Sequence, residues 1–307
     1  MDFSWREAHY IKKLRPHLEN NIVDETARLL INCDDRPGIV AAVTNFLYSH
    51  GVNITQLDQH STDPEGGEFF MRLEFQTPHL DLSKPALEQA FAEVVAERFH
   101  MEWRISYAAP LKRVAILVSK VDHCLMELLW QWRQGRIQAD MVQVISNHPD
   151  LKKEVDAFDL PYHHVAVSKD TKEKDEETIL GLLEGKTDLV VLGRYMQILT
   201  GPFISKYPYK IINIHHSFLP AFVGANPYRQ AYERGVKLIG ATAHYATEQL
   251  DAGPIIEQDV ARVSHRHTVN DLRELGRNLE RQALARALKW HLEDRILVHG
   301  NKTIVFE

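Results

Sequence analysis

The 307 residues of this chain are enough for two domains of ordinary size, each with its own hydrophobic core. Hydrophobic residues make up 44% of the sequence and charged residues 25%, and no apolar run approaches the roughly 20 residues that a membrane helix needs. The net charge of −6 argues against nucleic acid as a partner, and the first residues lack a secretory signal pattern, so we expect a cytoplasmic protein that binds neither nucleic acid nor membrane.

The sequence gives little support for a metal site or a disulfide. Cys33 and Cys124 are the two cysteines, far apart and without a CxxC spacing, which fits a reducing cytoplasm. Histidines are numerous, and His265 lies close to His267, but no HExxH motif or other ligand set accompanies them. We therefore predict that the protein holds no metal.

The first part of the chain is predicted to contain an arm and a small domain. Residues 1–22 form a polar, partly helical N-terminal arm whose role the sequence does not indicate. Residues 23–108 follow with hydrophobic patterns in the order βαββαβ. The first helix is expected after the turn Asp35-Arg36-Pro37-Gly38 and ends at Gly51. The four strands are predicted at 28–33, 52–57, 69–75 and 101–107.

This order of elements, with the runs Asp-Arg-Pro-Gly-Ile-Val and Gly-Val-Asn-Ile, resembles an ACT domain, a ferredoxin-like module that often binds amino acids at a paired interface. The resemblance implies a homo-oligomer and an amino-acid effector such as glycine or methionine. The candidate effector contacts are Asp35, Gly38 and Asn53, since glycine at position 38 lets a ligand approach the backbone. The alternative is that Pro37-Gly38 only leads into the helix and that the domain only pairs subunits.

Residues 109–307 are predicted to form a second domain with an alternating βα pattern. Apolar runs such as 188–192 indicate strands covered on both faces. We therefore predict an α/β fold with a mostly parallel, Rossmann-like sheet, helices on both faces, and ligands bound beyond the carboxyl ends of the strands. Strands are expected at 113–119, 139–147, 162–167, 188–193, 210–216 and 238–246, helices at 123–134, 150–157, 172–184, 226–234 and 268–292, and a hairpin at 295–306.

Two polar segments of this domain carry candidate chemistry. In Asn213-Ile214-His215-His216-Ser217-Phe218-Leu219-Pro220, Asn213 and His215 are two residues apart and project to the same face of a strand. Asp251 comes from a turn closed by Gly253-Pro254. An amide, an imidazole and a carboxylate suit attack on a carbonyl-like carbon, because two of them can hold the oxyanion while the third accepts a proton. The alternatives are a strand-end cap, a structural histidine and a surface turn carboxylate.

The segments resemble the folate-dependent formyltransferase superfamily over about residues 112–307, because the Asn-x-His pair, the Leu-Pro and the Asp-x-Gly-Pro-Ile-Ile run occur in order. The resemblance implies that 10-formyltetrahydrofolate is the substrate, without a cofactor, and that Asn213, His215 and Asp251 are catalytic. It also implies that folate contacts the stretch after a buried strand, at Arg194, Tyr195, Met196 and Ile198.

The run His-His-Ser-Phe-Leu-Pro is similar to that of the formyltetrahydrofolate deformylases within this superfamily. That resemblance implies that water accepts the formyl group, which leaves as formate to feed purine synthesis and balance the one-carbon pool. Because adjacent strand residues point to opposite faces, His215 and His216 are not expected to ligate one metal together. We predict that His216 supports the loop or positions a water.

The turn after the first strand of the second domain bears on the acceptor. A glycinamide ribonucleotide transferase of this superfamily would have a Gly/Ser-rich phosphate turn, whereas the turn at 119–125 has no glycine and contains Asp122, which would repel phosphate. The positive charge of Lys120 could still bind a phosphate, so a phosphorylated acceptor remains an alternative. Two alternatives therefore stand beside hydrolysis: formyl transfer to a small amine or nucleotide such as glycinamide ribonucleotide, and a non-catalytic regulator that senses amino acids or folate.

Overall fold

The computed structural model describes residues 25–63, 66–221 and 226–307, so the predicted N-terminal arm at 1–22 lies outside the described residues. The chain divides into two compact units. The first runs to Leu111 and includes Glu293–Leu297 and Ile304–Glu307, and the second contains Lys112–Leu292 and Val298–Thr303. The domain limits of 23–108 and 109–307 remain a prediction. None of the helices in the described ranges is both long and apolar enough to cross a membrane.

The first unit has the predicted βαββαβ order. Its antiparallel sheet has the strand order β2-β3-β1-β4, and Leu29 of β1 pairs with Leu73 of β3. Alternate residues of β1, such as Leu29 and Ile31, pack with Val43 and Phe91 of the helices in one buried core. The elements are β1 (Thr26–Asp34), α1 (Ile39–Ser49), β2 (Asn53–Ser61), β3 (Glu68–Gln76), α2 (Lys84–Phe91, continued by a π-helical turn at Ala92–Ala96 and a last turn at Glu97–Phe99) and β4 (Glu102–Tyr107).

The second unit contains a seven-stranded sheet in the order β11-β10-β9-β8-β5-β6-β7. Its elements are β5 (Arg113–Val118), α3 (His123–Arg133), β6 (Asp140–Ser146), α4 (Lys152–Asp156), β7 (Tyr162–His164), α5 (Lys172–Leu183), β8 (Leu189–Leu192), α6 (Gly201–Ser205), β9 (Ile211–His215), α7 (Pro227–Arg234), β10 (Leu238–Tyr245), β11 (Ile255–Arg262) and α8 (Val269–Leu292). Strands β12 (Ile296–His299) and β13 (Lys302–Val305) form the predicted C-terminal hairpin.

The sheet of the second unit is parallel from β7 to β9, as predicted, and its last two strands are antiparallel. The fully buried strand Leu189–Leu192 confirms that apolar runs mark strands covered on both faces. Strand β11 was not predicted, because this edge strand is half exposed and its sequence Ile-Ile-Glu-Gln-Asp-Val-Ala-Arg lacks a clear alternation. The short helix Gly201–Ser205 was also missed.

Candidate active site

Asn213 and His215 are held by a central strand of the sheet in the second unit. Strand β9 pairs in parallel with β8 and antiparallel with β10, so its backbone is fixed on both sides. Its neighbours Ile212 and Ile214 are buried, and His215 is only 6% exposed. Asn213 is partly buried, and both polar side chains line one cavity. The alternation of the strand therefore brings the amide and the imidazole together.

His244, which the sequence did not single out, completes this part of the site. In the antiparallel register it lies directly opposite Asn213, and its Nε2 is 3.1 Å from Asn213 Nδ2. Its Nδ1 is 2.9 Å from the Tyr245 carbonyl oxygen, which can only accept, so the Nδ1 position carries the proton. Nε2 of the neutral ring thus accepts from the Asn213 amide, and a carboxylate lies close to the same nitrogen.

That carboxylate is Asp251, which lies in the loop between β10 and β11. Its backbone is left-handed, with φ of 54°. A Cβ at position 253 would lie 1.9 Å from the Tyr245 carbonyl oxygen, so glycine at that position allows the loop to fold against the end of β10. Asp251 Oδ2 is 3.1 Å from His215 Nδ1, and Asp251 Oδ1 is 3.7 Å from His244 Nε2. One carboxylate therefore contacts two imidazoles.

These contacts set the charge of the site. Burial alone would raise the pKa of the Asp251 carboxyl, but the hydrogen bonds and positive charges of His215 and His244 outweigh it and hold the pKa below its ordinary value. Asp251 is therefore ionised at neutral pH. His215 Nε2 is buried and has no hydrogen-bond partner among the residues that the structure describes. A buried polar atom without a partner is uncommon, and its place on the cavity wall marks a group that can serve a ligand.

The cavity has a volume of about 630 Å³, within the roughly 300–1,000 Å³ of small-molecule sites. Tyr195 is buried in its wall, whereas Met196 and Ile198 present exposed apolar surface. The structure thus places the predicted catalytic residues and the predicted folate-binding stretch around the same space: Arg194, Tyr195, Met196, Ile198, Asn213, His215, His216 and Asp251 all line it.

His216 lines this cavity as well, although strand alternation predicted that it would face away from His215. Strand β9 ends at His215, so alternation no longer applies to the next residue, and the two rings lie with centroids 5.2 Å apart. Burial, followed by the positive charge of Arg194, lowers the pKa of His216 to about 4. Its ring is therefore neutral at physiological pH.

The turn at 119–125 does not form a phosphate cradle around its first residue. Ser119 is 3% exposed, and its hydroxyl donates to Asn147 Oδ1 at 2.7 Å while it accepts from the Met196 backbone N–H at 2.9 Å. The hydroxyl is thus occupied in holding the stretch that contains Met196. Lys120 is exposed, and Asp122 stands at the start of α3, where a carboxylate opposes phosphate binding.

A buried polar cluster on the cavity wall was also missed by the sequence analysis. Glu280 is 1% exposed, and its oxygens meet His123 Nε2 at 2.8 Å, Tyr228 Oη at 2.7 Å and Arg194 Nε at 3.4 Å. Burial would raise the pKa of Glu280, but the bond from His123 and the charge of Arg194 lower it overall, so the carboxyl is ionised. Four separate elements contribute these residues, and no local pattern could join them.

His123, Cys124 and Glu280 place potential ligand atoms within 4.8 Å of one another. Burial raises the pKa of the Cys124 thiol well above its ordinary value, so the thiolate that a metal prefers does not form readily. Glu280 is already engaged by protein partners. The donor set therefore fits a structural cluster better than a metal centre, and the predicted absence of a metal stays a prediction.

In the first unit, the candidate effector residues are not all in one place. Asp35 and Gly38 line a depression after β1, together with Gln59 and Ser61 of β2. Asn53 lies at the opposite end of the nine-residue strand β2 and does not line it. Asn53 was suggested because it belongs to the Gly-Val-Asn-Ile run. The length of β2 separates it from the turn that contains Gly38 within one chain.

Comparison with known proteins agrees with this architecture. The formyl transferase family matches residues 112–288, and the ACT domain matches residues 27–92. A formyltetrahydrofolate deformylase of Bacillus subtilis (strain 168) is 52% identical over 301 residues, covering 98% of this chain and 99% of the relative. One of Mycobacterium tuberculosis (strain ATCC 25618 / H37Rv) is 54% identical over 282 residues, covering 92% and 91%.

Solved structures show the same relationship. The formyltetrahydrofolate deformylase of Pseudomonas syringae pv. tomato str. DC3000 has a TM-score of 0.89 and 48% identity, covering 99% of this chain and 100% of that one. Glycinamide ribonucleotide transformylase 1 of Symbiobacterium toebii has a TM-score of 0.61 and 31% identity, covering 66% and 97%. The predicted fold, with its ACT-like and formyltransferase-like domains, is confirmed. With both domains matched and relatives aligned over nearly its whole length, the chain belongs to the formyltetrahydrofolate deformylase family.

Proposed function

We propose that this chain hydrolyses 10-formyltetrahydrofolate to formate and tetrahydrofolate, as the names of its relatives indicate. The observation that carries the proposal is the ionised Asp251, in contact with His215 and His244 beside Asn213, on the wall of a cavity of about 630 Å³. This group holds a base and two oxyanion donors, which are the parts that attack on a formyl carbon requires.

In the proposed reaction, a water attacks the formyl carbon and passes a proton to Asp251. The carboxylate suits this task because its histidine partners keep it ionised. The formyl oxygen becomes an oxyanion that accepts from Asn213 Nδ2 and from protonated His215 Nε2, whose other nitrogen is held by Asp251. The bond between the formyl carbon and the folate nitrogen then breaks, that nitrogen takes up the proton, and formate and tetrahydrofolate leave.

Neighbouring groups fix the orientation of side chains that take part in these steps. The Tyr245 carbonyl keeps a proton on His244 Nδ1, so that Nε2 faces Asn213 and Asp251. Fixed donors of this kind stabilise developing charge without reorganisation during the reaction. The neutral His216 ring can accept a hydrogen bond from the attacking water. No step uses a cofactor or a metal.

The folate is proposed to lie along residues 193–199. The apolar residues Met196 and Ile198 are 57% and 58% exposed, an arrangement suited to a flat aromatic ring. The backbone there is fixed, because Ser119 accepts from the Met196 N–H and Lys172 donates to the Ile198 carbonyl.

Membership of the deformylase family supports a wider role. We propose that the released formate feeds purine synthesis and balances the one-carbon pool, in the cytoplasm. The ACT domain supports a homo-oligomer and an amino-acid effector at the depression lined by Asp35 and Gly38.

Incubation of the purified protein with 10-formyltetrahydrofolate alone tests the function. Hydrolysis predicts equal amounts of formate and tetrahydrofolate with no acceptor added. A formyl group recovered only on an added amine, with no release of formate, would identify a transferase. No turnover under either condition would identify a binding regulator.

A further inference from the structure

The cavity has a polar wall around a buried carboxylate that the proposed hydrolysis does not use. It is formed by Arg194, Glu280, His123 and Tyr228, called here the Glu280 cluster, and all four residues line the cavity. The His216 ring lies between this wall and the catalytic group, with its centroid 5.2 Å from that of His215 and 6.2 Å from that of Tyr228. The Glu280 cluster thus borders the reacting region.

Both oxygens of the central carboxylate are occupied. Tyr228 Oη donates to Glu280 Oε1 at 2.7 Å, while His123 Nε2 at 2.8 Å and Arg194 Nε at 3.4 Å face Oε2. The Glu280 side chain is 2% exposed. An ionised carboxylate beside a reacting carbon would ordinarily attract a primary amine and accept its N–H groups. Here the protein's own donors fill those positions.

The local backbone is arranged to hold this cluster. Arg194 follows β8 in a left-handed conformation, with φ of 66°, which a residue with a side chain rarely adopts. Its side chain is 15% exposed, and its Nε and Nη1 have no hydrogen-bond partner within the described ranges. A Cβ at position 276 would lie 2.0 Å from Tyr228 Oη, so only glycine one turn before Glu280 lets the hydroxyl reach the carboxylate.

We propose that the Glu280 cluster, through Arg194, makes water rather than an amine the formyl acceptor. The inference rests on the proposed function and assigns its acceptor specificity. The guanidinium lies 3.4 Å from Oε2 of the carboxylate that would otherwise orient an amine, and its positive charge there repels a protonated amine. The Symbiobacterium toebii transformylase shares the fold of this domain, so the choice of acceptor must come from side chains rather than from the scaffold.

The inference predicts a new reaction in a variant that lacks the guanidinium. In Arg194→Gly, an amine nitrogen would attack the formyl carbon, the bond to the folate nitrogen would break, and that nitrogen would take up the proton lost by the amine. The products are an N-formyl amine and tetrahydrofolate, so the atoms balance. Glycine also adopts the left-handed conformation of this position without strain, which favours a folded variant.

The test uses the full-length enzyme, 10-formyltetrahydrofolate and glycinamide as a small primary amine. Mass spectrometry of N-formylglycinamide and an enzymatic measurement of formate give the ratio of transfer to hydrolysis. Wild type should release formate at a rate independent of glycinamide. In Arg194→Gly the ratio should rise by about 10- to 100-fold, the effect of one hydrogen bond gained by the amine from a charged group.

A matched control separates this effect from that of the backbone. Asp159 is exposed, has φ of 58° and does not line the cavity, so Asp159→Gly also places glycine at a left-handed position and should keep the wild-type ratio. Tyr228→Phe removes only the hydroxyl and frees Glu280 Oε1, so it should also raise the ratio. A folded Arg194→Gly whose ratio equals that of wild type would overturn the inference. If that variant does not fold, an unchanged ratio in Tyr228→Phe overturns it instead. Formate release by wild type reports on the proposed function separately.

Discussion

Replacement of Asp251 by asparagine tests the role of the carboxylate at the centre of the proposed site. The change preserves the size of the side chain, and asparagine tolerates the left-handed backbone of this position, with φ of 54°. It removes the negative charge that lies 3.1 Å from His215 Nδ1 and 3.7 Å from His244 Nε2. The variant should therefore fold normally while it loses the base.

The size of the effect follows from two losses. A positioned general base contributes about 10²–10⁴-fold to turnover. Without the carboxylate, His215 Nδ1 also loses the partner that orients the ring, which weakens the oxyanion donor at Nε2. We therefore expect kcat to fall by about 10³-fold or more, equivalent to roughly 4 kcal/mol. KM should change by only a few fold, since the folate stretch at 193–199 is untouched.

The assay is steady-state release of formate from 10-formyltetrahydrofolate, with thermal unfolding measured in parallel. Asp159→Asn is the matched control, because Asp159 is also a left-handed aspartate, with φ of 58°, but is exposed and lies outside the cavity. A folded Asp251→Asn enzyme with kcat within about threefold of wild type would refute the reasoning, given that the expected loss is about 10³-fold or more.

Three further changes probe the surrounding residues. Asn213→Ala should lower kcat by about 10²–10³-fold with little change in KM, because it removes one oxyanion donor, and equal loss of substrate binding by calorimetry would argue against that role. His244→Leu should lower kcat by about 10- to 100-fold, because the Asn213 amide loses the group that orients it, whereas unchanged kinetics would show that the contact is not needed. Burial lowers the pKa of His216 to about 4, so between that value and 6.5 the unfolded chain binds a proton that the folded chain does not. Wild type should thus lose up to about 2 kcal/mol of unfolding free energy between pH 7 and pH 5 at this residue, and denaturant titrations should show a correspondingly smaller loss in His216→Gln.

Local periodicity was enough to predict much of the fold and part of the site. The βαββαβ order, the buried strand at 189–192 and the shared face of Asn213 and His215 follow from spacings of two or of three to four residues, which depend only on neighbours in sequence. Asp251 was identified because it is the first residue of a recognisable Asp-x-Gly-Pro run. Spacing along the chain could not locate it beside His215.

The contacts that the sequence analysis missed depend on register and on packing between helices. His244 faces Asn213 only through the antiparallel pairing of β10 with β9, and the sequence analysis did not predict that pairing. Glu280 meets His123 and Tyr228 from three different helices. The expectation that His216 faces away from His215 was wrong, because β9 ends one residue too early for alternation to hold.

Hydrolysis in water enriched in ¹⁸O tests the central claim most directly. If Asp251 activates a water that attacks the formyl carbon, the formate released by the purified enzyme carries one labelled oxygen, and its amount equals that of tetrahydrofolate. Formate without the label, or a formyl group recovered on any acceptor other than water, would contradict the account.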